Sequence, residues 1–232
     1  MILALDSSTE TMALALSMDG RTEIFEGSGG AQASARMLPE VHALLARAGC
    51  TLADLDAIAF GQGPGAFTGL RTACAVAQGL AFGLNRPVLA IDSLMLVAED
   101  ARAQGAGDDL WVAMDARMSE IYAGHYLWAG GAWQVADAPA LYKPNALLAH
   151  WGQPVAVAGS ALAAFAEFAE FAEFAVLAAL PAGLAQARSR AAALAALARA
   201  AWAQGPHLDA AEAVPVYLRD KVALTTAERA LT

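Results

Sequence analysis

Residues 61–84 read GQGPGAFTGLRTACAVAQGLAFGL, and this stretch divides into two segments with different physics. In the first, glycines at 61, 63 and 65 surround Pro64, so the backbone can take φ > 0 and approach a neighbouring surface closely while the proline stiffens the turn. Phe67 and Thr68 lead out of it. The second segment, Gly69 to Leu84, carries Arg71 as its single charge and is apolar or small on every face from Thr72 onward. That pattern predicts a helix covered by protein all round, with neighbours that its own domain need not all supply. It would be about 24 Å long, too short and too flanked by glycine to span a bilayer.

Outward from this stretch, Ala57–Phe60 reads as a short buried strand before it, and Pro87–Ile91 as a strand after it, with a helix from Ser93 to about Gln104. Upstream, Ile2–Leu5, Met12–Met18 and Arg21–Glu26 read as three short strands, with Asp19-Gly20 as a hairpin turn. Ser34–Ala48 follows as a helix whose Met37, Val41, Leu44, Leu45 and Ala48 share one stripe. The order βββαβαβα calls for an α/β layer architecture with a mixed sheet.

Gly105, Gly107, Asp108 and Asp109 mark a boundary. Beyond it, Leu110–Met114, Ile121–Trp128 and Trp133–Ala136 repeat the three-strand opening, with Gly130-Gly131 as the turn, and Ala146–Trp151 then Val155–Ala158 repeat the helix-strand step. The halves share an element order without sharing residues. Phe165–Ala175 is a tandem Ala-Glu-Phe repeat, whose period of three drifts around a helix so that Phe165, Phe168, Phe171 and Phe174 cannot all face one core; it reads as a slipped surface helix. Arg188–Gln204 is an alanine-rich helix with Leu194, Leu197 and Ala201 as its buried stripe, and PVYLRDKVALTTAER an extended tail.

The 232 residues are 58% hydrophobic, enough to build large cores. The 14 basic and 23 acidic side chains leave a net charge of −9, which opposes unaided nucleic-acid binding over most of the surface. Cys50 and Cys74 give neither a disulfide framework nor metal-ligand spacing and suit a reducing cytosol. The opening MILALDSSTE lacks a basic leader and reads as a strand, and the charge-free run from Pro144 to Ala166 is broken by His150, Gly152, Gln153 and Pro154, so no membrane span is expected.

Candidate chemistry is sparse. Asp6-Ser7-Ser8-Thr9 places an acid and three hydroxyls at a strand-to-turn junction. Such a turn can wrap a phosphate while the acid holds a metal through water, or it can be an Asx or ST turn, the commoner case. Asp115 ends the corresponding strand of the second half. It could share a cation with Asp6 across a cleft, although the neighbouring Arg117 favours an ion pair. Gly159-Ser160 could pass under a purine ring. His42, His125, His150 and His207 are scattered, without metal-ligand spacing, and there is neither a G-x-S-x-G elbow nor a P-loop.

The N-terminal ALDSST, the loop and helix GQGPGAFTGLRTACAVAQGLAFGL, the segment MDARMSEIYAGHY and the tail PVYLRDKVA, in that order, resemble the bacterial TsaB (YeaZ) family over nearly the whole chain. The resemblance implies an actin-like, ribonuclease-H-like fold of two domains, 1–107 and 108–232, with mixed five-stranded sheets and a tail returning to the first domain. It implies a non-catalytic cytoplasmic relative of TsaD, without cofactor or metal of its own. In that scheme TsaD transfers threonylcarbamoyl to adenosine 37 of ANN-decoding tRNAs, TsaE supplies ATPase activity, and tRNA is met only through the complex. Where TsaD-type proteins carry a metal-binding histidine pair, the matching Ile91–Val97 has no histidine.

The resemblance further implies a four-helix interface with TsaD through 34–48 and 69–84, with Met37, Val41, Leu44, Leu45, Leu70, Ala73, Cys74, Ala77 and Ala81 at the contact. The same face would pair two copies of the isolated chain. The alternative, from another class, is a small actin-fold ATPase or sugar kinase using Asp6, Ser7, Ser8 and Thr9 for phosphate and Asp115 for the metal; a metalloprotease lacks ligands.

Overall fold

The structure is a computed structural model that describes residues 1–151, 156–164 and 187–219. Its elements are β1 (Ile2–Asp6), β2 (Thr11–Met18), β3 (Arg21–Ser28), α1 (Ala33–Ala48), β4 (Ala57–Gly63), α2 (Phe67–Leu84), β5 (Val88–Asp92) and α3 (Ser93–Ala103), followed by β6 (Asp109–Asp115), β7 (Ile121–Ala129), β8 (Ala132–Tyr142), α4 (Pro144–Trp151), β9 (Val157–Ala158), the short α5 (Ala161–Ala164) and α6 (Arg190–Gln204).

Large and small residues alternate along the central strands, and the pleat sorts them onto opposite faces. Leu3, Leu5, Leu14, Leu16, Ile58 and Phe60 point to one side, where α1 and α2 cover them. Ala4, Ala13, Ala15, Ala57 and Ala59 point to the other, where α6 lies with Ala191, Leu194, Ala195 and Ala198. This sheet has the order β3-β2-β1-β4-β5, with β1 antiparallel to β2 and parallel to β4. Although α6 comes from the end of the chain, it therefore completes the first sheet, which its alanine-rich sequence did not reveal.

Burial corrects the expected interface residues. Met37, Val41, Leu44, Leu45, Leu70, Ala73, Cys74, Ala77 and Ala81 are all buried within this protomer, none exposed beyond 4%. All but Leu70, which borders the interdomain cleft, face the Leu-rich side of the sheet, so this protomer does not present them to a partner. Within this protomer α2 is not covered on every side. One stripe, Arg71, Ala75, Gly79, Phe82 and Gly83, is open to solvent, and Phe82 is 83% exposed.

The second sheet, β8-β7-β6-β9, has four strands among the described residues where five were expected. β8 runs to Tyr142, well past the expected end at Ala136, by pairing with β7 across register shifts near His125. The Ala-Glu-Phe repeat at 165–175, Val155 and the tail beyond 219 lie outside the described residues. None of the described helices is long and apolar enough to cross a membrane.

The halves meet through α3. Its Leu94, Val97, Ala98 and Ala101 pack against Leu110, Val112, Tyr122 and Tyr126 of the second sheet. Asp92 caps the helix, accepting from the Leu94 N–H at 2.8 Å, and takes a second bond from the fully buried Tyr126 hydroxyl at 2.7 Å. Burial pushes the Asp92 carboxyl above its ordinary 3.8, against the lowering effect of these bonds. Burial beside the Asp92 carboxylate also drives the Tyr126 phenol far above its usual range, which keeps it a donor.

A carboxyl whose pKa rises on folding contributes stability fully below its unfolded value and loses it as pH rises through the raised folded value. The difference in unfolding free energy between Asp92→Asn and wild type should therefore move in favour of the variant as pH rises above the unfolded carboxyl value of about 4 in urea titrations. An unchanged difference would refute this account.

Candidate functional site

Between the two halves lies a cleft of about 660 Å³, bordered by the 8–11 turn, the 64–67 loop, α3, the 114–118 corner, Gly159-Ser160, Arg190 and the strap 216–219. That volume falls within the range of small-molecule sites. The chemistry along its floor decides what it can do.

β1 delivers Asp6 beneath the floor, behind Ser8 and Arg190, with its side chain fully buried. Its Oδ2 accepts from Arg190 Nη2 at 2.9 Å and Nε at 3.2 Å. Ser8 Oγ donates to the same carboxylate at 3.1 Å and accepts from Arg190 Nη2 at 3.0 Å. A planar guanidinium suits this arrangement, since its fixed donors reach the acid and the hydroxyl together. Arg190 is the first residue of α6 and its side chain is only 6% exposed. The carboxylate that would hold a metal in a phosphate-transfer enzyme is thus neutralised from within the chain.

The hydroxyls are also engaged. Ser7 Oγ donates to the Gly69 carbonyl at 2.9 Å. Thr9 Oγ1 accepts from the Thr11 N–H at 3.2 Å, the local ST turn that competed with the phosphate-wrapping alternative. The glycine loop packs onto this turn. A Cβ at Gly61 would collide with the Asp6 carboxylate, at Gly65 with the Ser8 carbonyl and at Gly69 with the Ser7 carbonyl. Ala66 N–H donates to the Ser8 carbonyl at 2.7 Å, closing the contact. These glycines are therefore spacers between two backbones, and Pro64, joined to Gly63 by a cis peptide, sits in the same lead-in to α2.

Across the cleft, Asp115 pairs with Arg117 at 3.3 Å, and Arg117 also reaches Glu10 at 3.2 Å. The ion pair thus prevails over a shared cation. Arg117, Met118 and Ser119 all have positive φ, and the corner is tied by Arg117 N–H to Asp115 Oδ1 at 2.8 Å and by Ala116 N–H to the Glu120 carbonyl at 2.9 Å. Gly159, at φ +123°, lies where a Cβ would strike the Ala113 carbonyl, so close strand packing accounts for it. Among the described residues, no three His, Cys, Asp or Glu side chains converge to hold a metal.

The strap forms the remaining wall. Val216 N–H donates to the Gln62 carbonyl at 2.7 Å, the Tyr217 ring lies 5.2 Å from Phe67, and Arg219 pairs with Glu120. Just upstream, the Ala213 carbonyl accepts from Gln78 Nε2 at 2.8 Å and from Cys74 Sγ at 3.3 Å. The strap therefore joins α2 to the corner of the second half. Sequence reading placed Asp6, Ser8 and Asp115 around this site but missed Arg190, one of three arginines in the alanine-rich segment 188–199 and not marked out from the other two.

Comparison with known proteins bears on this arrangement. A model of the family TsaD, tRNA N6-adenosine threonylcarbamoyltransferase, matches residues 29–227. The tRNA threonylcarbamoyladenosine biosynthesis protein TsaB of Escherichia coli is 36% identical over 62% of this chain and 63% of that protein. Its namesake in Haemophilus influenzae is 40% identical over 52% of this chain and 51% of that protein. The chain thus spans less than two thirds of the length of these curated relatives. The solved structure of YeaZ from Pseudomonas aeruginosa is 39% identical, covers 94% of this chain and 99% of its own, and superposes with a TM-score of 0.77.

Two substitutions probe the floor. Arg190→Met leaves Asp6 buried without its counter-charge and should cost about 3–5 kcal/mol in denaturant unfolding near neutral pH, partly recovered by adding Asp6→Asn. No loss in the single variant would remove the pair from its place in the site. Gly69→Ala forces a methyl onto the Ser7 carbonyl and should lower stability by about 1–3 kcal/mol; an unchanged melting temperature would contradict the packing described.

Proposed function

The chain belongs to the TsaB (YeaZ) family, and on that footing we propose that it is the non-catalytic partner of a TsaD subunit in threonylcarbamoyl transfer to adenosine 37 of tRNA. The observation that carries this reading is the open stripe of α2, where Phe82 stands 83% exposed on a helix otherwise packed into its own core. Ala75, Gly79 and Gly83 flank it and let a second helix come close. A large aromatic side chain held in water is the usual anchor of a protein interface.

The state of the cleft supports the other half of the reading. Asp6 is held by Arg190 and Asp115 by Arg117, so neither carboxylate is free to bind a metal-nucleotide without breaking a pair within the chain. Nothing favours the kinase alternative. Catalysis then belongs to TsaD, with TsaE joining the pair and tRNA contacted through the assembly in the cytoplasm. Residues 1–107 form the docking domain and 108–232 the degenerate one, with α6 and the strap returned to the first.

The interface moves with this reading from the buried side of α2 to its open stripe. Phe82→Ala should weaken association with the organism's own TsaD by about 2 kcal/mol, roughly thirtyfold, with little change in melting temperature. Gly79→Arg, where an added Cβ meets nothing within 4 Å, should block association while the chain stays folded. Wild-type affinity in both folded variants would sink the proposal.

A further inference from the structure

At the N-terminal end of the same open stripe stands Arg71, a cation that no carboxylate of the described residues neutralises. Most arginines here have an internal partner: Arg190 has Asp6, Arg117 has Asp115, Arg219 has Glu120 and Arg36 has Glu40. Arg47 lies in the last turn of α1, where a helix dipole favours positive charge. Arg71 has neither advantage. Among the described residues no carboxylate pairs with it, and it lies in the second turn of α2, far from the C-terminal end where a helix dipole favours a cation.

Its side chain is nevertheless held in place. The Arg71 guanidinium carbon lies 3.7 Å from the centre of the Phe67 ring and 5.8 Å from that of Tyr217, and Arg71 Nε donates to the Tyr217 hydroxyl at 3.0 Å. Contact with two aromatic faces reduces the rotamer freedom an exposed arginine would lose on binding. The terminal nitrogens, which meet no carboxylate among the described residues, are left as a fork suited to a planar anion.

We propose that Arg71 is the register-setting cation of the docking face and pairs with a carboxylate of the partner protein. This rests on the reading of the α2 stripe as the TsaD interface. Arg71, Ala75, Gly79 and Phe82 follow one another at helical spacing on that stripe, so the charge lies about 17 Å along the axis from the aromatic anchor. Phe82 alone would let a partner helix slide or reverse. A second fixed point of opposite chemistry specifies direction and register, as charge pairs at interface rims do. The net charge of −9 makes a protein carboxylate a better occupant than an RNA phosphate, because the chain as a whole repels a polyanion.

The test measures binding of full-length wild type, Arg71→Glu and Tyr217→Phe to the organism's own TsaD over a range of salt concentrations, with melting temperatures in parallel. Arg71→Glu should weaken binding about tenfold or more and flatten its salt dependence, at an unchanged melting temperature. Tyr217→Phe, which keeps the charge and removes one hydrogen bond, should stay within about threefold of wild type.

Unchanged affinity in Arg71→Glu overturns the inference while leaving the Phe82 interface standing. Equal losses in both variants overturn it as well, since Arg71 would then act by holding the strap. If TsaD binding is intact and the assembled complex instead loses tRNA, the cation belongs to RNA and the proposal fails. A wild-type chain that does not associate with TsaD removes both the inference and the reading beneath it.

Discussion

A single buried ion pair holds the first strand of this protein to its last described helix. Asp6 and Arg190, 184 residues apart, meet where neither charge is reached by solvent, and each would be costly to bury alone. The pair fixes α6 against the Ala face of the first sheet and sets the floor of the interdomain cleft. It also gives the carboxylate an occupation inside the fold. An acid at the tip of a first strand, followed by three hydroxyls, is a common starting point for phosphate chemistry, and here an arginine supplied by the same chain has taken the position of the counter-ion.

The glycine loop follows from that floor. The Asp6–Thr9 turn is compact because its polar groups are satisfied internally, and the 61–69 backbone lies directly against it through Gly61, Gly65 and Gly69. α2 then leaves at an angle that places one side over Leu3, Leu5 and Phe60 and the other in water. The same segment thus buries Ala73, Ala77 and Ala81 while presenting Ala75, Gly79 and Phe82. Composition alone could not separate these two sides, because apart from Arg71 and Phe82 on the open one the residues that mark them are mostly small and uncharged.

That ambiguity marks the boundary of what the sequence could tell. Strand and helix order was legible wherever periodicity was strong: Leu and Ala alternate through β1 and β2, and α1 shows its Met37-Val41-Leu44 stripe. The family resemblance rested on local motifs and agrees with the YeaZ superposition. What failed were inferences about which side of an apolar helix faces inward, since α2 offers almost no polar residue to mark water. Arg190 was illegible for another reason. Its partner is distant in sequence, and nothing local distinguishes it from Arg188 and Arg199 in the same alanine-rich segment, so an exposed arginine and a counter-ion look alike there. Asp115, with Arg117 only two residues away, was correctly read as an ion pair because its partner is local.

The alternation of Leu and Ala along the central strands also has a meaning in time. The Leu face is covered by α1 and α2, which emerge soon after the strands they protect, so this layer can consolidate early during synthesis. The Ala face waits for α6. At a translation rate of about 5–20 residues per second, the interval between Asp6 and Arg190 is roughly ten to forty seconds. Throughout it the nascent chain carries an unpaired carboxylate beside a surface that is alanine at its centre, with Ile2, Leu89 and Ile91 around it. That centre is only weakly adhesive because each methyl buries little area, and the nearby charge keeps it wet. Small residues on the late-covered side thus reduce the hazard of exposing half a sheet while the ribosome completes the helix that will close it.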